Sequence, residues 1–204
     1  MNIDLDRKLA LVGGVEGPLT DAIRLALQEN GAAVGKVELF EAATAASAVD
    51  DPFVLVLVSG GANGVPDVDT GYASERQDFA RAIRLLAPRL KRVVIVYSSA
   101  GLFPVKGLAD FSADQAGLAS LVRTLAMDLG PSVLVNAVSV GAYDAGDADV
   151  RTPRFLSHTG VKRPAALSEI VAAVLFLADP DNSYMTGHTL NIDGGWAAVY
   201  ARNF

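Results

Sequence analysis

The stretch from Arg92 to Gly130, RVVIVYSSAGLFPVKGLADFSADQAGLASLVRTLAMDLG, constrains the fold more than any other part of the chain. It opens on the β-branched run Val93–Val96, which reads as a buried strand. The run ends in Tyr97-Ser98-Ser99 and a loop carrying glycine and proline. From Phe111 to Leu129, apolar residues then recur at helical spacing: Ala116, Leu118, Ala119, Leu121, Val122, Leu125, Ala126 and Leu129. Phe111 and Gln115 are four apart and share one face of that helix.

The same alternation runs through the rest of the chain. Lys8–Val12 is a short apolar strand, followed by the turn Gly13-Gly14-Val15-Glu16-Gly17. Pro18 stands at a first helical position and Gly31 just past the helix end. Strand, glycine turn and helix are the opening of a dinucleotide-binding unit. Val34–Leu39 reads as a second strand, residues 40–51 as an alanine-rich stretch able to make one short helix, and Phe53–Val58 as another buried strand ending in Ser59-Gly60-Gly61. Tyr72–Leu90 reads as a helix, Ser132–Val138 as a strand, 144–161 as a polar irregular segment, and Ser168-Glu169 as the start of a last helix running to Leu177. The expectation is one α/β domain over residues 1–204, a doubly wound, Rossmann-like parallel sheet of about six strands.

Ser98 precedes Phe111 by thirteen residues, and the segment reads F-S-A-D-Q. This resembles the short-chain dehydrogenase/reductase family, in which a strand-end serine is followed by Tyr-x-x-x-Lys at the start of a long helix. The block SEIVAAVLFLADPDNSYMTGHTLNIDGGW is the best match to the family in the chain. In those enzymes Ser, Tyr and Lys carry the chemistry. Here the serine is kept as Ser98, while Phe111 and Gln115 replace tyrosine and lysine. Oxidoreduction at a carbonyl needs a proton moved at the oxygen, and the family uses a phenol acidified by a neighbouring ammonium. A phenyl ring has no proton to give, and a carboxamide has no charge with which to shift one. The resemblance therefore implies the fold and argues against alcohol dehydrogenase activity by this chain alone. A catalytic asparagine of the family falls at Ser74, whose plainer reading is a helix-start serine.

Against the family pattern T-G-x-x-x-G-x-G, Gly13 and Gly17 match, Gly14 lies between them, Val12 stands for the threonine and Leu19 for the last glycine. A leucine there is expected to fill space next to a bound pyrophosphate. Glu38, 25 residues after Gly13, is either a ribose-binding acid or a charge on an exposed edge strand, and with the third glycine gone the second is expected. Between Leu39 and Phe53 there is no room for the family's extra strand-helix unit, so one edge unit is deleted, on the side that encloses adenine. These departures imply no cofactor bound by this chain, with NAD(H) or NADP(H) in an active partner.

Other side chains offer little. His158 and His188 are the only histidines and have no second ligand at metal spacing, so no metal site is expected. Tyr72, Tyr97 and Tyr143 are candidate replacement acids, but Tyr97 adjoins Ser98 on a strand and should face the other way. Lys106 reads as solvated, and Asp110 and Asp114 as ordinary acids of a helix start. A net charge of −6 without a basic run disfavours nucleic acid. No apolar run is long enough to span a bilayer, and a cytoplasmic location is the default.

The departures fall on the chemistry and spare the scaffold. In this family the long helices and the C-terminal block form oligomer contacts. The resemblance thus implies a non-catalytic subunit that assembles with an active NAD-dependent short-chain dehydrogenase, acting on a secondary alcohol or ketone such as a hydroxyacyl-CoA. The two-subunit 2-(hydroxybenzyl)succinyl-CoA dehydrogenase, a heterotetramer, is the precedent. The other arrangement is a homo-oligomer. The alternatives are a divergent enzyme with a relocated acid, and a ligand-binding or sensor protein using the old cofactor cleft.

Overall fold

The computed structural model describes residues 1–37, 51–63, 73–144 and 156–199. Among them, six strands form one parallel sheet in the order β2-β1-β3-β4-β5-β6: β1 Leu9–Gly14, β2 Ala33–Val37, β3 Pro52–Val58, β4 Arg92–Ser98, β5 Leu134–Val140 and β6 Thr189–Ile192. The helices are α1 Pro18–Glu29, α2 Ala73–Leu86, α3 Ala109–Leu129, α4 Leu167–Ala178 and the short α5 Trp196–Val199. The doubly wound sheet with β2 at its edge agrees with the sequence expectation. Glu38, Tyr72 and the alanine-rich stretch lie outside the described residues, as does most of the polar segment after Asp144.

Side chains of β3 alternate between two cores, as a period of two demands. Val54, Val56 and Val58 pack with α1 and α4; Leu55 and Leu57 pack with α2 and α3. β3, β4 and β5 are buried almost throughout, because helices cover both faces. This is why their sequences are near-continuous apolar runs.

The chain leaves β1 toward β2 on one side and returns to β3 on the other. The point where strand order reverses, at the carboxyl ends of β1 and β3, is where such sheets form a crevice. The backbone there is drawn tight. Gly14 adopts φ +103 against the Val58 carbonyl, and the Val15 N–H donates to that carbonyl at 2.9 Å. Pro18 is at the first turn of α1 and Gly31, at φ +93, follows its C-cap Asn30. No helix among the described residues is long and apolar enough to cross a membrane.

Candidate functional site

The carboxyl ends of β3 and β4 and the start of α3 bring Ser59, Ser98, Phe111 and Gln115 together. Ser98 is partly exposed, its Oγ accepting from the Ala100 N–H at 3.3 Å. Phe111 is buried, 8% exposed, and Gln115 is completely buried at 0%. They share one face of α3, as their spacing predicts, and that face is turned into the fold, most completely at Gln115. Its side chain turns inward, between the two strand ends.

Each atom of that carboxamide has work. The Ser98 backbone N–H can only donate, so the oxygen 2.9 Å from it is the acceptor Oε1. Nε2 donates to Ser59 Oγ at 3.2 Å. Ser59 donates to Glu75 Oε2 at 2.6 Å, and the Gly60 N–H donates to Glu75 Oε1 at 2.7 Å. The Gly61 N–H adds a bond to Ser59 Oγ at 3.2 Å. A buried network thus ties α2, the end of β3, the end of β4 and α3. The turn after β4 packs onto it, since a Cβ on Gly101 would lie 2.5 Å from the backbone carbon of Gln115.

Glu75 and Ser59 are the residues that sequence reasoning missed. The signal was present: Ser59-Gly60-Gly61 closes a buried strand, and Glu75 adjoins Ser74 at a helix start. Nothing in the spacing announces that the two meet across sixteen residues. Burial pushes the Glu75 carboxyl above its usual range; Ser59 and Gly60 oppose this, and Asp114 and Asp78 add to it. Ser74 lies in α2.

The glycine turn differs from its sequence reading at one residue. Leu19 does not fill the turn: it is fully buried in the core with Val12, Ile23 and Leu27. The Val15 N–H is taken by Val58, and Pro18 offers no N–H at the first helical position. Glu16, at the lip, is bidentate to Arg24 at 2.6 and 3.0 Å and reaches Lys36 at 3.2 Å, which holds its carboxyl down at about 2. Gly13 and Gly17 of the turn are in place, while Val15 and Pro18 leave fewer backbone N–H groups free for a pyrophosphate.

The other candidates resolve simply. Tyr97 faces away from Ser98, is fully buried, and its hydroxyl lies 3.3 Å from Thr189 Oγ1. Tyr143 is partly buried in the core, and burial pushes its phenol up to about 12, the wrong direction for an acid at neutral pH. His158, His188 and Lys106 are exposed. Among the described residues no cluster of His, Asp or Glu could hold a metal ion. Asp193 in the D-G-G-W block caps the final turn, accepting from the Gly195 and Ala197 N–H groups at 2.8 and 3.0 Å. Trp196 meets Phe103 edge-on at 6.0 Å. An open cavity of about 340 Å³ near β6 is lined by Thr159, Val161, Arg163, Ile192 and Asp193, and by none of Ser98, Phe111 or Gln115. Chemically, the strand-end site can hold and orient a polar group through Ser98, but residues 111 and 115 supply no proton.

Comparison with known proteins matches residues 77–197 to the family model described as enoyl-(acyl carrier protein) reductase. The 3-oxoacyl-[acyl-carrier-protein] reductase FabG of Buchnera aphidicola is 30% identical over 116 residues, 54% of this chain and 48% of that protein. The trans-4-hydroxycyclohexanecarboxylate dehydrogenase of Sinomonas cyclohexanicum is 37% identical over 113 residues, 52% of this chain and 41% of that protein. The cyclic-di-GMP-binding biofilm dispersal mediator protein of Escherichia coli is 33% identical over 54% of this chain and 46% of its own length. The chain spans less than half the length of these relatives in each match. Among solved structures, a dehydrogenase/reductase from Sinorhizobium meliloti superposes with a TM-score of 0.82 at 25% identity, over 97% of this chain and 98% of that one. BdcA in complex with NADPH shares the fold, with a TM-score of 0.73 at 23% identity over 93% and 94% of the two chains. With the six-stranded sheet, the strand-end serine and the matched C-terminal half in hand, the chain belongs to the short-chain dehydrogenase/reductase family.

Proposed function

We propose that this chain is a non-catalytic member of its family, a subunit that assembles with and supports an active, nicotinamide-dependent short-chain dehydrogenase. The observation that carries this reading is Gln115. Its amide is fully buried and committed to Ser98 and Ser59, so it is part of the scaffold and not a catalytic group. Phe111 beside it has no transferable proton. In this reading the cofactor, NAD(H) or NADP(H), belongs to the partner, and the partner interconverts a secondary alcohol and a ketone, with a hydroxyacyl-CoA as the substrate class. The relatives' names, which include a 3-oxoacyl-[acyl-carrier-protein] reductase and a hydroxycyclohexanecarboxylate dehydrogenase, support the interconversion of alcohol and ketone.

Assembly is supported by apolar side chains left on the helix surfaces. Met127 of α3 is 76% exposed and Leu85 of α2 is 42% exposed; Phe176 of α4 and Tyr184 after it are exposed near the edge strand β6. The deciding experiment is co-expression with the short-chain dehydrogenase encoded nearest to it, followed by size analysis and assay. A stable complex whose activity or lifetime depends on this chain is the expected result. A lone monomer, beside a partner equally active without it, would defeat the reading.

A second reading rests on a different observation. One relative is named for binding cyclic-di-GMP and not for a reaction. A family cleft without a proton donor can serve as a ligand sensor. Saturable binding of a dinucleotide by the isolated chain, with no turnover, would favour it.

A further inference from the structure

We propose that Glu75 is a positioning residue and a proton-operated latch: its carboxylate fixes Ser59 and Gln115 so that Gln115 grips the Ser98 backbone, and protonation of Glu75 loosens that grip at the cleft. The latch follows from the donors and acceptors around Ser59, whether the chain is a subunit or a sensor.

With Glu75 ionised, the network closes. Ser59 Oγ has two lone pairs and one hydrogen. The lone pairs accept from the Gly61 N–H and from Gln115 Nε2, and the hydrogen goes to Glu75 Oε2 at 2.6 Å. Gln115 Oε1 is then left to the Ser98 N–H. With Glu75 protonated on Oε2, the acid donates to Ser59 Oγ, which is then asked to accept three hydrogens with two lone pairs. The Ser59 hydrogen must turn to its other neighbour, Gln115 Oε1 at 3.4 Å. That oxygen has two lone pairs and now divides them between Ser59 and the Ser98 N–H, while Nε2 loses Ser59 as its acceptor, so the amide that holds Ser98 is anchored at one end only.

The surroundings make this exchange accessible. Glu75 is partly buried, and among the described residues the charged groups acting on it are Asp114 of α3 and Asp78 of α2, both acidic. The ends of β3 and β4 contribute only neutral donors, from Ser59, Gly60 and Ser98. Arg76, next along α2, lies instead where a Cβ on Gly117 of α3 would be. Gly61 keeps room for the moving amide, since a Cβ there would lie 2.5 Å from Gln115 Nε2.

The test is an NMR titration of the full chain from mildly acidic to mildly alkaline pH, following the Ser98 amide proton and the Glu75 side-chain carboxyl carbon. The expected result is that both move together, the Ser98 amide shifting upfield as the pH falls, while Val94 in the interior of β4 stays fixed. In Glu75→Gln, whose amide donates to Ser59 at every pH, the Ser98 amide should sit at its low-pH position throughout. In Ser59→Ala the Glu75 carboxyl should still titrate while the Ser98 amide no longer follows. A wild-type Ser98 amide that ignores the Glu75 titration overturns the proposal. So does an amide that follows it equally well without the Ser59 hydroxyl. The wild-type titration decides the matter even if a variant does not fold.

Discussion

Gln115 and Gly61 are complementary: the carboxamide of one occupies the space a side chain would need at the other, with Nε2 2.5 Å from where a Cβ on residue 61 would stand. The pairing joins the start of α3 to the turn after β3, and it depends on residue 115 being a buried amide.

Gly61→Ala should therefore destabilise the protein, by about 1–3 kcal/mol, the usual cost of overpacking a filled site. Shortening the partner, as in Gln115→Ala, should recover part of that loss in the double variant, beyond the sum of the single effects. Urea unfolding of the four proteins measures the coupling. Strict additivity would mean that the two residues do not share the space.

Gln115→Lys is expected to cost about 1–3 kcal/mol, because it leaves the Ser98 N–H without its acceptor and places an ammonium at a site closed to water. Glu75, beyond Ser59, offsets part of this as a counter-charge. Phe111→Tyr, at an 8% exposed position, should cost less than about 1 kcal/mol. Neither change, nor both together, should yield ketone reduction with NADH or NADPH. Full stability of the lysine variant by denaturant unfolding would contradict the buried placement.

Leu19 carries a different consequence in the structure from the one its position in the glycine motif implied. Leu19→Ala should lose about 2–5 kcal/mol by leaving a cavity under α1, and should not improve cofactor binding. Calorimetry with NAD and NADP should show no heat of binding at millimolar cofactor for either protein. Micromolar binding by the wild type would overturn the reading of the turn.

The Glu75 carboxyl titrates above its unfolded value of 4.5, so between the two values the folded state keeps a proton that the unfolded state has lost. Its contribution is fully present below the unfolded value and is lost as pH rises through the folded one. Wild-type stability should therefore fall across that window, and Glu75→Gln should abolish the fall. Glu16 has the opposite sign: its carboxyl is held at about 2, so its contribution is present above the ordinary value and lost as pH falls toward 2. Being half exposed, that pair should add little and fade with salt.

Met127→Asp and Tyr184→Asp place charge on side chains 76% and 102% exposed in the single chain. Monomer stability should change by no more than about 0.5 kcal/mol. Complex formation with the partner dehydrogenase, read by size-exclusion chromatography of the co-expressed pair, should be lost in at least one. Intact complexes from both would place the interface elsewhere.

Much of this protein was legible without coordinates, for local reasons. The β-branched run Val93–Val96 reads as a buried strand, the spacing of three and four from Leu118 to Leu129 as a helix face, and Gly31 after α1 as its stop, and the structure has all three. Those patterns repeat along the chain and yielded the six-stranded parallel sheet. The replacement of a proton donor by Phe111 is equally a matter of residue chemistry. What only the tertiary structure decided is direction and partnership. Leu19 could face the turn or the core, and the closure of α1 against the sheet sent it inward. Gln115 could reach water or the interior, and the glycine at residue 61, more than fifty residues away in the chain, left it a place between two strand ends. Glu75 and Ser59 carry no motif; they became a pair because packing α2 against the end of β3 removed the water that would otherwise have satisfied both.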